Sequence, residues 1–159
     1  MNRRLRILNM RLRRGTTTVE AAFVLPVFFF VMFALFEFAH ASLILSLLHS
    51  GCRSGARLGS TEGVSTGQVE AHVRQRLGSA VSPAAVSVFV RDAQGVDAGS
   101  SSVANGADVE SLPSLELMDA EDRQLFVVRA RVAYNDVALL PMKFMEGVVL
   151  DAQAFMRHE

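Results

Sequence analysis

The chain has 159 residues, with 16 Lys and Arg balancing 16 Asp and Glu, a length that suits one ordinary domain and leaves little room for two. The neutrality is uneven: residues 1–15 carry six arginines and no acid, which leaves 10 basic and 16 acidic residues beyond them and excludes a dispersed basic surface for nucleic acid. A single cysteine excludes an internal disulfide framework and a cysteine-based structural zinc site.

Behind the basic leader, Ala21 to Phe36 reads AAFVLPVFFFVMFALF without a charge. A hydrocarbon layer of about 30 Å needs roughly 20 helical residues, and Ala21 to His40 supplies them. Lipid offers the backbone no hydrogen-bond partner, so a helix is the expected solution. The arginines are expected to stay cytoplasmic and the remainder to lie outside. Pro26 predicts a kink rather than an end, since membrane helices tolerate proline. Glu37 falls near the predicted outer boundary, either reaching back to the interface or meeting a neighbouring membrane helix. Three fates compete for the segment: retention as a signal anchor, signal-peptidase cleavage after Ala41 in Ala39-His40-Ala41, and cleavage between Gly15 and Thr16.

Past His40, Leu43, Ile44, Leu47 and Leu48 share one helical face, so the helix is expected to continue to about Leu58 as a stalk. Gly51, Gly55 and Gly59 recur every four residues and form a candidate small-residue packing groove; the competing reading is a helix unwound by glycine. Ser65-Thr66-Gly67-Gln68 has the pattern of a capping box. Val69, Val73, Leu77 and Ala80 follow on one face, which predicts an amphipathic helix over 66–79 that ends before Ser82-Pro83.

Three later segments alternate. Val86, Val88 and Val90 share one face; Val128, Ala130, Val132 and Tyr134 share another, with Arg129 and Arg131 opposite; Val148, Leu150, Ala152, Ala154 and Met156 share a third. Period two with one polar face predicts antiparallel strands packed on helices, and Val137–Leu140 is a candidate fourth strand. Residues 92–122 hold eight acids and no Lys or Arg, which predicts a long, acidic, flexible insertion. The expected fold is α+β: a long transmembrane and stalk helix, then an amphipathic helix on a sheet of three to four antiparallel strands. The expected divisions are a basic cytoplasmic leader at 1–15, the helix at 16–60 and an extracytoplasmic domain at 61–159.

Catalytic and metal motifs are missing. His40, His49, His72 and His158 lack metal-binding spacing, and there is no P-loop, dinucleotide fingerprint or nucleophile elbow. No D-x-D-x-D-G calcium loop occurs in the acidic insertion. No metal or cofactor is expected, and an enzyme is not the expected reading.

The leader resembles a type IV prepilin-like signal, and more narrowly that of the TadE-like minor pseudopilins of the tight-adherence (Tad, or Flp) pilus. The residues that carry the resemblance are Arg13-Arg14-Gly15, Thr16-Thr17-Thr18-Val19 and Glu20, the run AAFVLPVFFFVMFALFEFAHA, the stretch GCRSGARLGS and, loosely, the ending AFMRHE. Ala21 stands where many members of the wider group have an aromatic residue. The resemblance implies cleavage after Gly15 by a prepilin peptidase, for which a residue without a side chain suits the cut. It implies that Glu20, the fifth residue of the mature chain, pairs with the new α-amine of a neighbouring subunit. It also implies a bacterial inner-membrane, single-pass protein, possible entry into the pilus, and a part in adherence or secretion. The implied partners are other pilin-like subunits, the Tad machinery, the peptidase and membrane lipid, with no nucleic acid. Two readings stay open beside it: a permanently anchored extracytoplasmic binding module, and an exported soluble domain starting at Ser42.

Overall fold

The computed structural model describes residues 2–99, 109–140 and 145–159, with side chains from residue 17 onward except that of Asp97. The first helix, α1, spans Asn2–Gly59. It is followed by α2 (Thr66–Leu77), β1 (Ser87–Asp92), a short α3 (Gln94–Asp97), β2 (Leu125–Ala133) and β3 (Val149–Arg157). The chain forms two compact units, Met1–Ala39 and His40–Glu159.

The first unit is the N-terminal part of α1. Its stretch from Thr17 is apolar and long enough to cross a membrane by length and composition. Pro26 lies within the helix and removes the hydrogen bond that the Ala22 carbonyl would otherwise accept from position 26. The phenylalanines point outward: Phe23 is 75 % exposed and Phe30 67 %. Phe28, Phe29 and Phe33 touch along the surface, with ring centroids 5.7 and 6.4 Å apart. Such a surface is costly in water and at no disadvantage in hydrocarbon. Glu37 is the exception here, buried to 4 % exposure.

The second unit is a small α+β domain. Residues 40–59 of α1 contribute Ile44, Leu48, Cys52 and Ala56, all fully buried, at the four-residue spacing of one helical face. Leu43, one residue off that line, is exposed. The predicted stalk is therefore itself a core element. After Gly59 the chain turns, with Ser60 N–H donating to the Ala56 carbonyl at 2.9 Å and Gly63 at φ +78°, a conformation that favours glycine. α2 begins at the expected capping box: the Ser65 hydroxyl accepts from Gln68 N–H, and the Gln68 side chain accepts from Ser65 N–H. It ends at Leu77 with Gly78 as its cap, two residues before the sequence-based end. Val69, Val73 and Leu77 are its buried side chains.

The sheet has the order β1-β2-β3, antiparallel throughout. Its register aligns Val88, Ala130 and Ala152 in one row and Val90, Val128 and Ala154 in the next. These rows form the face that packs, with Phe126 and Val132, into one core with α2 and residues 44–56 of α1. The predicted alternation holds for Val88 and Val90 in β1 and for Ala152 and Ala154 in β3, whereas in β2 residues 126–130 are buried on both faces, and Val86, Tyr134 and Val148 fall outside the strands. A fourth strand at Val137–Leu140 does not form: Tyr134–Asp136 is a 3₁₀ turn, and the amides of Val137 and Ala138 donate to the Tyr134 carbonyl, which withdraws them from any ladder.

The opposite face of the sheet is also covered in part. Val127 packs with Ala93 and Val109 in a second small cluster. Arg129, predicted on a solvated polar face, is 4 % exposed and pairs with Asp151 at 3.0 Å. Within the acidic insertion, Glu110 pairs with Arg131, Ser114 bridges to Arg91, and Leu117 is fully buried. Residues 100–108 of the insertion lie outside the described residues.

Candidate functional site

Gly15, Thr16 and Glu20 lie in the same stretch of α1. The side-chain position of Thr16 and the surroundings of Gly15 are outside the described residues. Glu20 is exposed and forms no ion pair among the described residues. It is the single charge between residues 17 and 36. A carboxylate at the edge of an apolar helix is expensive in a bilayer unless a cation meets it. The helix that follows offers only apolar side chains for lateral contact, with Phe23, Val27, Phe30 and Phe38 more than 60 % exposed. In lipid such a surface associates by packing, since hydrocarbon gives no hydrophobic drive between helices.

The three groove glycines are placed in the second unit, where α2 occupies the groove. A Cβ on Gly51 would meet Leu77 Cδ2 at 3.4 Å, one on Gly59 would meet Leu117 Cδ1 at 2.9 Å, and one on Gly55 would overlap Val73 Cγ2. The small residues let two helices of one chain approach closely. Ser54 and His72 are hydrogen-bonded at 2.9 Å beside this contact, tying α1 to α2 at a polar point.

Cys52 sits on the same buried stripe. Its thiol donates to the Ala152 carbonyl at 3.3 Å, and burial pushes its pKa up from 9.0 to about 11. A thiolate is the reactive form, so the folded protein should resist a thiol reagent at pH 8 and release one equivalent of thiol only on denaturation. The same shift makes folding weaken with alkali. Below pH 9 both states hold the proton; from there to about 11 the unfolded thiol ionises first, and stability falls as pH rises. A denaturation series across that range checks the sign.

No group of three His, Cys, Asp or Glu side chains suited to a metal occurs among the described residues. A groove beside β1 is lined by Thr66, Glu70, Arg91 and Glu116, and its polar atoms are partly used by the fold: Thr66 N–H donates to Glu116 Oε1 at 2.9 Å, and Arg74 donates to Glu70 at 3.1 Å.

No curated protein and no solved structure matches the chain. A family model does: residues 15–57 match the one described as TadE-like protein. The matched segment begins at Gly15 and ends in the glycine groove, so it covers both the apolar helix and the helical stripe that enters the domain core. The segment at residues 15–57 is thus similar to the TadE-like family, and residues 58–159 lie outside the match.

Proposed function

We propose that the protein is a pilin-like structural and assembly component of a Tad (Flp) pilus or related secretion system. A prepilin peptidase removes the leader after Gly15 at the cytoplasmic face. The new α-amine on Thr16 then meets Glu20 of a neighbouring subunit, which neutralises two charges at the edge of the apolar layer. The apolar helix packs laterally against other pilin-like subunits and the α+β domain faces outward. The observation that carries this reading is Glu20, the single charge between residues 17 and 36, on a stretch of outward-facing apolar side chains, inside a segment whose family match starts at Gly15. The structural rather than enzymatic character of TadE-like proteins supports it too.

The test is the N-terminal residue of the protein isolated from native membranes. The expected start is Thr16. Gly15→Leu should leave the full-length chain, and Glu20→Ala should permit cleavage while reducing co-isolation with other pilin-like subunits. An intact Met1 would favour a permanently anchored binding module, and a start at Ser42 an exported soluble domain; either would overturn the proposal.

A further inference from the structure

We propose that copies of the chain associate side by side through their α+β domains, with the β1 edge of one copy meeting the outer side of β3 in the next. The contact is independent of cleavage after Gly15 and of the Glu20 pairing.

The two edges of the sheet carry different surfaces. Along β1 the insertion closes part of the edge: Ser114 bridges to Arg91, and Asp92 N–H donates to the Pro113 carbonyl at 3.0 Å. Glu70, Phe89, Arg91, Ser114 and Glu116 line the groove on that side. Among the described residues β3 pairs with β2 alone. Its outer side opens as a groove lined by Phe155, Met156 and Arg157 in succession, with Arg123, Leu125 and Glu159 beside them. Successive strand residues point to opposite faces, so a groove that touches all three runs along the strand's edge.

The register sets the two grooves level. Arg91 of β1 stands opposite Val127 of β2, which stands opposite Phe155 of β3. Both outer strands are antiparallel to β2, so they run in one direction. A copy displaced sideways along this row, without being turned over, brings its β1 groove against its neighbour's β3 groove.

The charges that face outward there are opposite. On the β1 side Glu116 is exposed; its Oε1 accepts from Thr66 N–H at 2.9 Å, which leaves Oε2 for a partner. The two arginines nearby are engaged: Arg91 lies over the Phe89 ring at 5.6 Å, and Arg74 holds Glu70 at 3.1 Å. On the β3 side Arg123 is exposed and forms no ion pair among the described residues. Its backbone is pinned, with its N–H donating to the His158 carbonyl at 2.9 Å and its carbonyl accepting from Arg157 Nη1 at 3.2 Å. Glu159 is the one acid in this lining, against two guanidinium groups. Phe155, 37 % exposed, supplies an apolar centre. Complementary charge of this kind fixes register and partner more than it adds affinity. A second copy is the occupant because both halves of the contact lie on one chain, at one level. The two surfaces differ, so the contact is heterologous: each copy keeps one of each for the next, and the row stays open.

Cysteine cross-linking of full-length chains, co-expressed and oxidised in one membrane preparation, tests this. The native Cys52 is fully buried and should take no part. Ser114→Cys and Phe155→Cys would be made separately and together. Neither single variant should cross-link to itself. The two co-expressed should give a dimer, and the double variant a ladder of larger species. Arg123→Glu on the Phe155→Cys chain should lower the dimer severalfold, and Glu116→Arg on the Ser114→Cys chain should restore it. Glu116→Cys with Arg157→Cys is a second pair that reports the same contact and leaves Phe155 in place.

No dimer from either mixed pair would overturn the inference. So would a dimer from Phe155→Cys alone, which would mean that two β3 edges face each other. A loss on Arg123→Glu that Glu116→Arg fails to restore would overturn the pairing of these two residues and the register built on it. A ladder from a chain that keeps Met1 would support the contact while overturning the proposed processing, so the two readings fail separately.

Discussion

Gly55→Ala should destabilise the domain by about 1–3 kcal/mol, the usual cost of forcing an extra methyl into a packed interior. The new methyl would overlap Val73 Cγ2, with Val69 Cγ1 at 3.5 Å and Val128 Cγ1 at 3.6 Å behind it. Val73 cannot step aside: it is fully buried, and a β-branched side chain in a helix has one strongly preferred rotamer. The same substitution at Gly51 should have the opposite sign. Its methyl meets Leu77 Cδ2 at 3.4 Å, an ordinary contact, and the helix gains up to about 1 kcal/mol of propensity. Gly59→Ala should fall between them, since the nearest atom, at 2.9 Å, is the end of the more flexible Leu117 side chain. Denaturant unfolding of the three variants in one detergent checks the order. Equal effects at Gly51 and Gly55 would contradict the close approach of α1 and α2.

Asp151→Ala should cost about 2 kcal/mol, by stripping a carboxylate from a buried guanidinium. Removing one member of a fully buried pair typically costs about 3–5 kcal/mol; the smaller figure reflects the Asp151 side chain, which is 39 % exposed while that of Arg129 is 5 %. Water can approach from the acid's side and not from the arginine's. The companion variant Arg129→Met with Asp151→Ala should recover most of the loss, because an apolar replacement of a buried pair is often neutral or better. A double-mutant cycle by denaturant unfolding measures the coupling. A single Asp151→Ala variant as stable as the parent would show that Arg129 holds its charge without this partner.

The elements that were legible in the sequence carry their signal locally. Ser65 and Gln68 announce the start of α2 because both halves of a capping box lie within four residues. The three strands announce themselves because Val88 and Val90, Val128 and Ala130, and Ala152 and Ala154 recur at period two, with Ser87 and Arg91, Arg129, and Gln153 on the other face. The apolar helix needs only a count of residues without charge. What stayed hidden depends on register or on a distant partner. Arg129 and Arg131 look like solvent-facing residues until the pairing of β2 with β3 brings Asp151 into play and the insertion delivers Glu110. Val137–Leu140 looks like a strand because four apolar residues give no period, and the 3₁₀ turn before it is invisible in composition. The acidic stretch reads as solvated on its charge, although apolar residues among its acids, Val109 and Leu117 with them, are the available sign that parts of it return to the core. The glycines at 51, 55 and 59 reveal a close approach but not what approaches, since the valines that fill the groove come from α2. In the candidate site, Glu20 stands out because it is one charge in an apolar run. Gly15 gains meaning only through its neighbours, Arg13, Arg14 and Glu20.

The order of core elements along the chain has a consequence for biosynthesis. Ile44, Leu48, Cys52 and Ala56 are made early, while β3, which packs with them in the same core, begins at Val149, roughly 90 residues later. At a translation rate of about 5–20 residues per second, the nascent chain carries that apolar stripe for about 5–20 s before its sheet can be completed. During this interval the stripe is continuous with the apolar helix ahead of it, and one lipid-compatible surface extends well past the length a bilayer needs. If the proposed single-pass arrangement holds, the end of the span has to be set before the domain exists to mark it. Between Glu20 and Arg57 the charged residues are Glu37 and Arg53, and they are the marks the sequence offers for that decision.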